Sequence, residues 1–318
     1  MNTLYLVLPC YNEEEVLKSS AKTLQHKMMT LINNQRIHPN SKILFVNDGS
    51  TDKTWPLIKT LSSENPIFCG ISLAHNAGHQ NALLAGLMTA RNHADIVISI
   101  DADLQQDISA IDLMLDKYEE GCEIVYGVRN ARNTDSFFKK ATALAFYRLM
   151  NMLGSSTIKN HADYRLMSKK ALHALSEYQE VNLFLRGLIP LLGFKTDIVY
   201  FDVKERTAGE SKYTLSKMLS LALNGITSFS IKPIRIITFI GIAIFLISIV
   251  MIVYSITMHV TGQTIPGWTS TLCTTWFIGG LQLLALGIIG EYIAKIYIEV
   301  KHRPLYYIEE SLINNKGT

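Results

Sequence analysis

The chain has 318 residues, room for about two domains of ordinary size. Its formal charge of +3 is too small for a broad nucleic-acid footprint, so no nucleic-acid partner is expected. Four cysteines, Cys10, Cys69, Cys122 and Cys273, form no Cys-x-x-Cys pair, which argues against a zinc or redox centre and for free thiols in a reducing compartment.

In chain order, Leu4–Leu8 is a short apolar run that reads as a strand, with no basic segment before it. It is not a signal peptide, so the N-terminal domain is expected to stay on the cytoplasmic side. Residues 13–31 repeat apolar side chains at helical spacing (Val16, Leu17, Ala21, Leu24, Met28, Leu31). Strands are then expected at 41–47, 67–73, 96–100 and 123–128, with helices at 51–61, 81–92 and 108–118 between them. Short β-branched runs alternating with helices predict an α/β domain on a mixed, mostly parallel sheet. In such a sheet ligands bind beyond the carboxyl ends of the strands.

The second half changes character. Residues 236–258 contain 23 positions without a charge, about 34 Å of helix and enough for a bilayer core. Residues 269–290 give a second uncharged stretch of 22. Lys212, Lys217, Lys232 and Arg235 precede the first, and Lys295, Lys301 and Arg303 close the second, while the linker 259–268 has neither Lys nor Arg. A two-helix transmembrane hairpin with both termini cytoplasmic follows. Between the two halves, Leu215, Met218, Leu219, Ala222, Leu223 and Ile226 share one helical face, expected to lie on the membrane surface. Residues 181–193 are apolar enough to touch lipid as well. The expected organisation is a catalytic domain at 1–210, a juxtamembrane helix at 211–232, two spans within 233–298 and a cytoplasmic tail at 299–318. Small residues in the spans, such as Gly241, Gly279 and Gly287, permit helix association and a homo-oligomer.

Polar clusters fall at four successive strand ends: 9–13 (PCYNE), 48–52 (DGSTD), 75–80 (HNAGHQ) and 101–105 (DADLQ). Converging on one cleft, they suit a nucleotide diphosphate. Its phosphates need Mg²⁺ or Mn²⁺, which takes oxygen ligands and few protein carboxylates. Asp103 can ligate the metal, and Gln105, on the same side of an extended segment, can add a carbonyl oxygen. Asp101 can bond the ribose or sugar or join the metal shell. Tyr11 offers a ring face for the base, and Glu13 and Asp48 offer acceptors. His75 and His79 lack a third ligand at zinc spacing and are expected to bond donor groups or stabilise their loop, where Gly78 marks a tight turn.

These residues resemble family 2 glycosyltransferases of the GT-A (Rossmann-like) fold, and most closely the polyisoprenyl-phosphate subgroup that includes dolichyl-phosphate mannose synthases and bactoprenol glucosyltransferases. Residues 9–13, 48–52 and 101–105 match the donor and metal motifs. The subgroup's Gly-Asp-Phe-Arg-Leu stretch appears as Ala162-Asp163-Tyr164-Arg165-Leu166, with Gly and Phe replaced. Its Arg-x-x-Gly-x-Ser-Lys-Tyr segment appears at 206–213, followed by two spans. The resemblance implies nucleotide-sugar contacts from Pro9, Tyr11, Asn12, Glu13, Asp48, Ser50, Gly78 and Asp101, and a metal on Asp103 and Gln105. Asp101, Asp103 and Asp163 would be catalytic.

The implied reaction is inverting transfer of one hexose from UDP-glucose or UDP-N-acetylglucosamine to undecaprenyl phosphate at the inner membrane, for cell-envelope glycan modification. The acceptor phosphate carries about −1.5 to −2 charges, which Arg129, Arg165, Arg206, Ser211 and Lys212 are placed to clamp. A phosphate nucleophile is already deprotonated, so Asp163 either orients it or takes a residual proton. Two rival readings predict features of their own. A processive polysaccharide synthase predicts more spans and a Gln-x-x-Arg-Trp segment, which is missing. A non-catalytic membrane-tethered nucleotide-sugar binding protein predicts loss of a metal carboxylate, yet both Asp101 and Asp103 stand.

Overall fold

A computed structural model of the protein describes residues 1–130, 161–178, 180, 185–202 and 267–313, with isolated helical positions between 237 and 257. The chain divides into two compact units: Met1–Leu144 with Ser156–Lys212 and His302–Thr318, and Ala145–Ser155 with Tyr213–Lys301.

The first unit is built on one eight-stranded sheet. In chain order it contains β1 (Leu4–Cys10), α1 (Leu17–Asn33), β2 (Lys42–Asn47), α2 (Thr54–Glu64), β3 (Phe68–Leu73), α3 (His79–Ala90) and β4 (Ile96–Ser99). Then come α4 (Ala110–Glu119), β5 (Ile124–Arg129), β6 (His161–Ser168), α5 (Lys169–Ser176), α6 (Leu185–Leu191), β7 (Thr196–Phe201) and finally β8 (Ile308–Ser311). The strand order is β7-β5-β6-β4-β1-β2-β3-β8. β1 to β4 are mutually parallel, β6 is antiparallel to both β4 and β5, β7 is parallel to β5, and β8 is antiparallel to β3. The mixed, mostly parallel sheet therefore stands as expected.

Alternation of side chains along each strand feeds two cores. Leu4, Leu6 and Leu8 of β1 join Leu17, Leu24 and Met28 of α1 and Ile111 and Met114 of α4 on one face. Tyr5 and Val7 join Ala82, Ala85 and Leu87 of α3, Leu172 of α5 and Leu188 of α6 on the other. The result is a three-layer sandwich with helices on both faces, which explains why the central strands read as continuous apolar runs.

Three strands go beyond the sequence reading. β6 carries a buried Arg165, which hides its strand pattern. β7 is an edge strand, buried at Val199 and Phe201 and exposed at Tyr200. The expected tail, 299–318, supplies β8. There Leu312 N–H donates to Gly70 O at 2.8 Å, Ala74 N–H donates to Tyr307 O at 2.9 Å, and Glu310 accepts from Trp55 Nε1 at 3.0 Å and pairs with Lys59 at 2.8 Å. Residues 181–193 were expected to touch lipid. Their described helix α6 instead turns Leu185, Leu188 and Ile189 fully into the core, because a short apolar segment packs on a sheet as readily as on a bilayer.

In the second unit, α7 (Trp268–Val300) runs for 33 residues, about 50 Å. Leu286, Ile289, Ile293, Ile296 and Val300 are exposed along it. Among the described residues no helix is long and apolar enough to cross a membrane. The expected juxtamembrane helix at 211–232 and most of the first span, 236–258, lie outside the described residues, as do several side chains of the second.

Candidate active site

The chain runs β1-β2-β3 outward and then returns past β1 to β4, so the sheet reverses direction between β1 and β4. That reversal opens a crevice at the carboxyl ends of the strands. Antiparallel β6 begins where β4 finishes: Ser99 pairs with Arg165, which brings Asp163 to the edge that carries Asp101.

The four strand-end clusters are laced together. Asn12, in the left-handed region at φ 54°, donates its N–H to Ser50 Oγ at 3.0 Å, and its Oδ1 accepts from Thr51 N–H at 2.9 Å. Glu13 N–H donates to Thr54 Oγ1 at 2.9 Å. Asp48 is buried, and its carboxylate accepts from the backbone N–H groups of Ala77 at 2.7 Å and Gly78 at 3.1 Å, tying the second loop to the third. Gly49 beside it has φ +61°, and a Cβ there would lie 2.5 Å from Asn76 N. Only glycine allows the two loops to meet this closely. Pro9 is buried at the end of β1, and Tyr11 is exposed just beyond it, its ring open to a stacking partner.

The fourth loop is not extended, as expected, but tightly turned. Leu104 has φ +48° and donates its N–H to Asp101 O at 3.2 Å. A left-handed non-glycine residue is a local strain that persists where the surroundings hold it, and such positions cluster at functional loops. The turn leaves Asp103 Oδ1 accepting from Gln105 N–H at 3.3 Å. Asp103 and Gln105, the expected cation ligands, both lie on this turned loop. Tyr164, at the position where the resembling subgroup has Phe, uses its hydroxyl to donate to Asp107 O at 3.2 Å, pinning the end of this loop to β6.

Asp163 sits at the centre of the charged groups. Arg165 Nη2 donates to its Oδ1 at 2.6 Å, while Arg186 donates through Nε to Oδ1 at 3.2 Å and through Nη2 to Oδ2 at 2.9 Å. His79 Nε2 lies 3.5 Å from Asp163 and 3.9 Å from Asp101, so the third cluster reaches both carboxylates. Burial pushes the Asp163 carboxyl up, but the His79 hydrogen bond and the two guanidinium charges outweigh it and hold the group well below the usual carboxylate range. Burial raises Asp101, reinforced by the charges of Asp163 and Asp103 and opposed by His79. His79 itself is raised: burial lowers it, but the bond to Asp163 and the charge of Asp101 prevail. Arg165 is 1% exposed, and burial lowers its pKa against the pull of Asp163.

The sequence pattern missed two of these residues. Arg186 stands within an apolar stretch, and no local motif links it to Asp163. Gln106 has no motif signal beside Gln105, yet it is buried and its Nε2 donates to Asp101 Oδ2. Arg129 is exposed at the carboxyl end of β5. Arg206, Ser211 and Lys212 lie outside the described residues.

The family model for glycosyl transferase family 2 matches residues 5–176, more than half of the chain. The chain belongs to glycosyltransferase family 2. A second model, the GtrB C-terminal hairpin, matches residues 232–296 of this glycosyltransferase. Similar proteins span nearly its whole length. An uncharacterized glycosyltransferase of Bacillus subtilis, YkoT, is 55% identical over 98% of this chain and 93% of its own. The SfII prophage-derived bactoprenol glucosyl transferase of Shigella flexneri is 39% identical over 96% of this chain and 97% of its own. A prophage bactoprenol glucosyl transferase homolog of Escherichia coli is 37% identical over the same shares.

Proposed function

We propose that this glycosyltransferase moves one hexose from a UDP-sugar, with glucose or N-acetylglucosamine favoured, onto undecaprenyl phosphate, giving a lipid-linked monosaccharide for the cell envelope. The observation that carries the reading is the pairing of opposite charges at one sheet edge. Asp101 and Asp103 stand on one side and the guanidinium groups of Arg165 and Arg186 on the other, with His79 and Asp163 between them. The carboxylate side suits a cation-bound diphosphate, and the partly exposed Arg186 guanidinium suits a second anion, while Arg165, expected in the acceptor clamp, is buried and braces Asp163 instead. Full-length similarity to proteins named bactoprenol glucosyl transferases supports a lipid phosphate as that anion and glucose as the sugar.

Asp103 and Gln105 would hold Mg²⁺ or Mn²⁺. Among the described residues no three His, Cys, Asp or Glu side chains form an all-protein metal cage. The donor set nonetheless fits, because these cations bind through one or two carboxylates plus phosphate oxygens. When bound, the metal stabilises the diphosphate leaving group. Tyr11 stacks on the base, while Pro9, Asn12, Glu13, Ser50 and Gly78 shape the loops around the nucleotide, Asp48 bolts two of them together, and Asp101 faces the sugar. A phosphate oxygen of the acceptor attacks the anomeric carbon in line, the bond from that carbon to the diphosphate oxygen breaks, UDP departs, and configuration inverts. No strong base is required. Asp163, with its depressed pKa and both oxygens held by arginines, orients the Arg186 guanidinium toward the acceptor rather than taking a proton. Arg129, Arg206, Ser211 and Lys212 complete the acceptor clamp.

Membrane attachment belongs to the same reading. β7 and β8 lie in one sheet, so the chain leaves the catalytic unit after residue 202 and returns to it before residue 308. Any crossings between those points are even in number, which two spans within 233–298 satisfy. The exposed Leu286, Ile289 and Ile293 of α7 suit lipid better than water. The catalytic domain at 1–210, the surface helix at 211–232 and the tail carrying β8 then lie on the cytoplasmic side, and small residues in the spans allow a homo-oligomer.

The test is a membrane assay with labelled UDP-glucose and UDP-N-acetylglucosamine and added undecaprenyl phosphate. One sugar is expected to enter the lipid phase only with Mg²⁺ or Mn²⁺, and both EDTA and Asp103→Ala are expected to stop it. Lipid labelling that survives both treatments refutes the metal role, and no labelling from either sugar refutes the proposed reaction.

A further inference from the structure

We propose that Gln106 is a positioning residue for Asp101, holding that carboxylate in the orientation the transfer step uses. This deepens the sugar-transfer reading of the site and rests on it.

Gln106 is 2% exposed, and its Nε2 donates to Asp101 Oδ2. The other oxygen, Oδ1, is left facing His79. The backbone is bent to make this contact. The turn closed by Leu104 N–H on Asp101 O, with Leu104 left-handed at φ +48°, folds the loop back so that residue 106 returns beside residue 101. The same loop sends Gln105 elsewhere: its backbone N–H serves Asp103. Two adjacent glutamines thus attend two different carboxylates.

A second observation concerns stability. Gln106 Oε1 is buried with no hydrogen-bond partner among the described residues. A buried acceptor left unpaired weakens a fold, and an apolar side chain of the same length would fill the space without that penalty. The position holds an amide for its donor, not for its packing. Its orientation follows from chemistry, because the flipped amide would set one acceptor oxygen against another. Asp101 also feels the charges of Asp103 and Asp163. A neutral amide orients it among them without cancelling the negative charge offered to a cation-bound donor, as a lysine or arginine here would.

The experiment compares the full-length enzyme with Gln106→Met and Gln106→Glu in the lipid-transfer assay, alongside thermal melting of each. Gln106→Met is expected to melt at or above the wild-type temperature while kcat falls about tenfold, with KM for undecaprenyl phosphate within about twofold of wild type. Gln106→Glu is the closest in shape, yet it is expected to have the lowest kcat, because it sets a carboxylate against Asp101. That ranking separates positioning from packing, which would favour Glu. An active wild type with an unimpaired Gln106→Met overturns the role of Gln106 alone. A kcat loss matched by a lower melting temperature and a smaller folded fraction also overturns it, in favour of a structural role. A wild type that transfers neither sugar overturns the reading of the site, and this role with it.

Discussion

Replacing Asp163 by Asn removes the carboxylate that, among the described residues, pairs with a buried guanidinium. Arg165 is 1% exposed, and Asp163 is the acceptor of its Nη2, while its Nε and Nη1 have no hydrogen-bond partner among the described residues. Breaking a buried ion pair from one side costs about 3–5 kcal/mol, because the remaining charge stays desolvated. At about 2–4 °C per kcal/mol for a domain of this size, Asp163→Asn should lower the melting temperature of the detergent-solubilised protein by roughly 6–20 °C. Arg165→Met in the same background should recover much of the loss, since an apolar side chain of similar length needs no partner. The pH dependence carries the sign. The Asp163 carboxyl is held below its unfolded value, so its stabilisation is complete above the ordinary carboxylate pKa and is lost as pH falls through the lower folded value. The gap between wild type and Asp163→Asn should be widest between about pH 5 and 6, narrow below about pH 4, and narrow again above about pH 6.5 as His79, raised by its bond to Asp163, loses its proton. The measurement is differential scanning fluorimetry of the three proteins across that range. A single mutant melting within about 2 °C of wild type, or a double mutant less stable than the single, refutes the account of Arg165 as a charge held by Asp163.

Three further predictions concern the frame around the site. Gly49→Ala forces a left-handed Ala and drives a Cβ to 2.5 Å from Asn76 N. A loss of more than about 2 kcal/mol in thermal or chaotrope unfolding is expected, together with weaker UDP binding, and a neutral Gly49→Ala would contradict the close approach of the two loops. Deleting residues 305–318 uncovers the β3 edge and the apolar contacts of Tyr306, Ile308 and Leu312 with the two cores. Size-exclusion profiles should show aggregation. Glu310→Gln should melt like wild type, because the amide oxygen still accepts from Trp55 and only the exposed pair with Lys59 is lost.

Much of the fold was legible where burial and period agree. β1 to β4 are buried along their whole length or nearly so and sit between helices whose apolar residues recur at 3.6-residue spacing, so both signals point one way. β6 was not legible as a strand because its one face carries Asp163 and Arg165, charges that a pattern search assigns to a surface. They are drawn in from solvent as a pair, Asp163 bonding both Arg165 and Arg186. β8 was hidden for the opposite reason: its four residues, Ile-Glu-Glu-Ser, are half exposed and short, and their backbone becomes a strand by pairing with the β3 edge. The apolar α6 had the right composition for lipid or for core, and periodicity over seven residues cannot separate the two. In the site, Asp101, Asp103 and Asp163 were legible as motif positions. Arg186 and Gln106 were not, since nothing local marks them. Arg186 arrives through packing of α6, and Gln106 through a left-handed turn that the assumption of an extended segment had removed.

The position of Asp163 depends in turn on register. Along β6, Tyr164 and Leu166 enter one core while Met167 enters the other, on the face shared by Asp163 and Arg165. A slip of one residue would exchange the two faces, placing Asp163 and Arg165 against Phe201 and the α4 side, far from His79 and Arg186. Tyr164 opposes that slip twice: its ring meets Phe201 edge-on at 5.3 Å between centroids, and its hydroxyl reaches Asp107 O. The loop that holds Asp101 and Asp103 ends at Asp107. One aromatic residue thus fixes both the register that delivers Asp163 and the far end of the loop that delivers the other two carboxylates. The substitution of Tyr for the Phe of resembling sequences is therefore compatible with the site, and it adds a tether between its two halves.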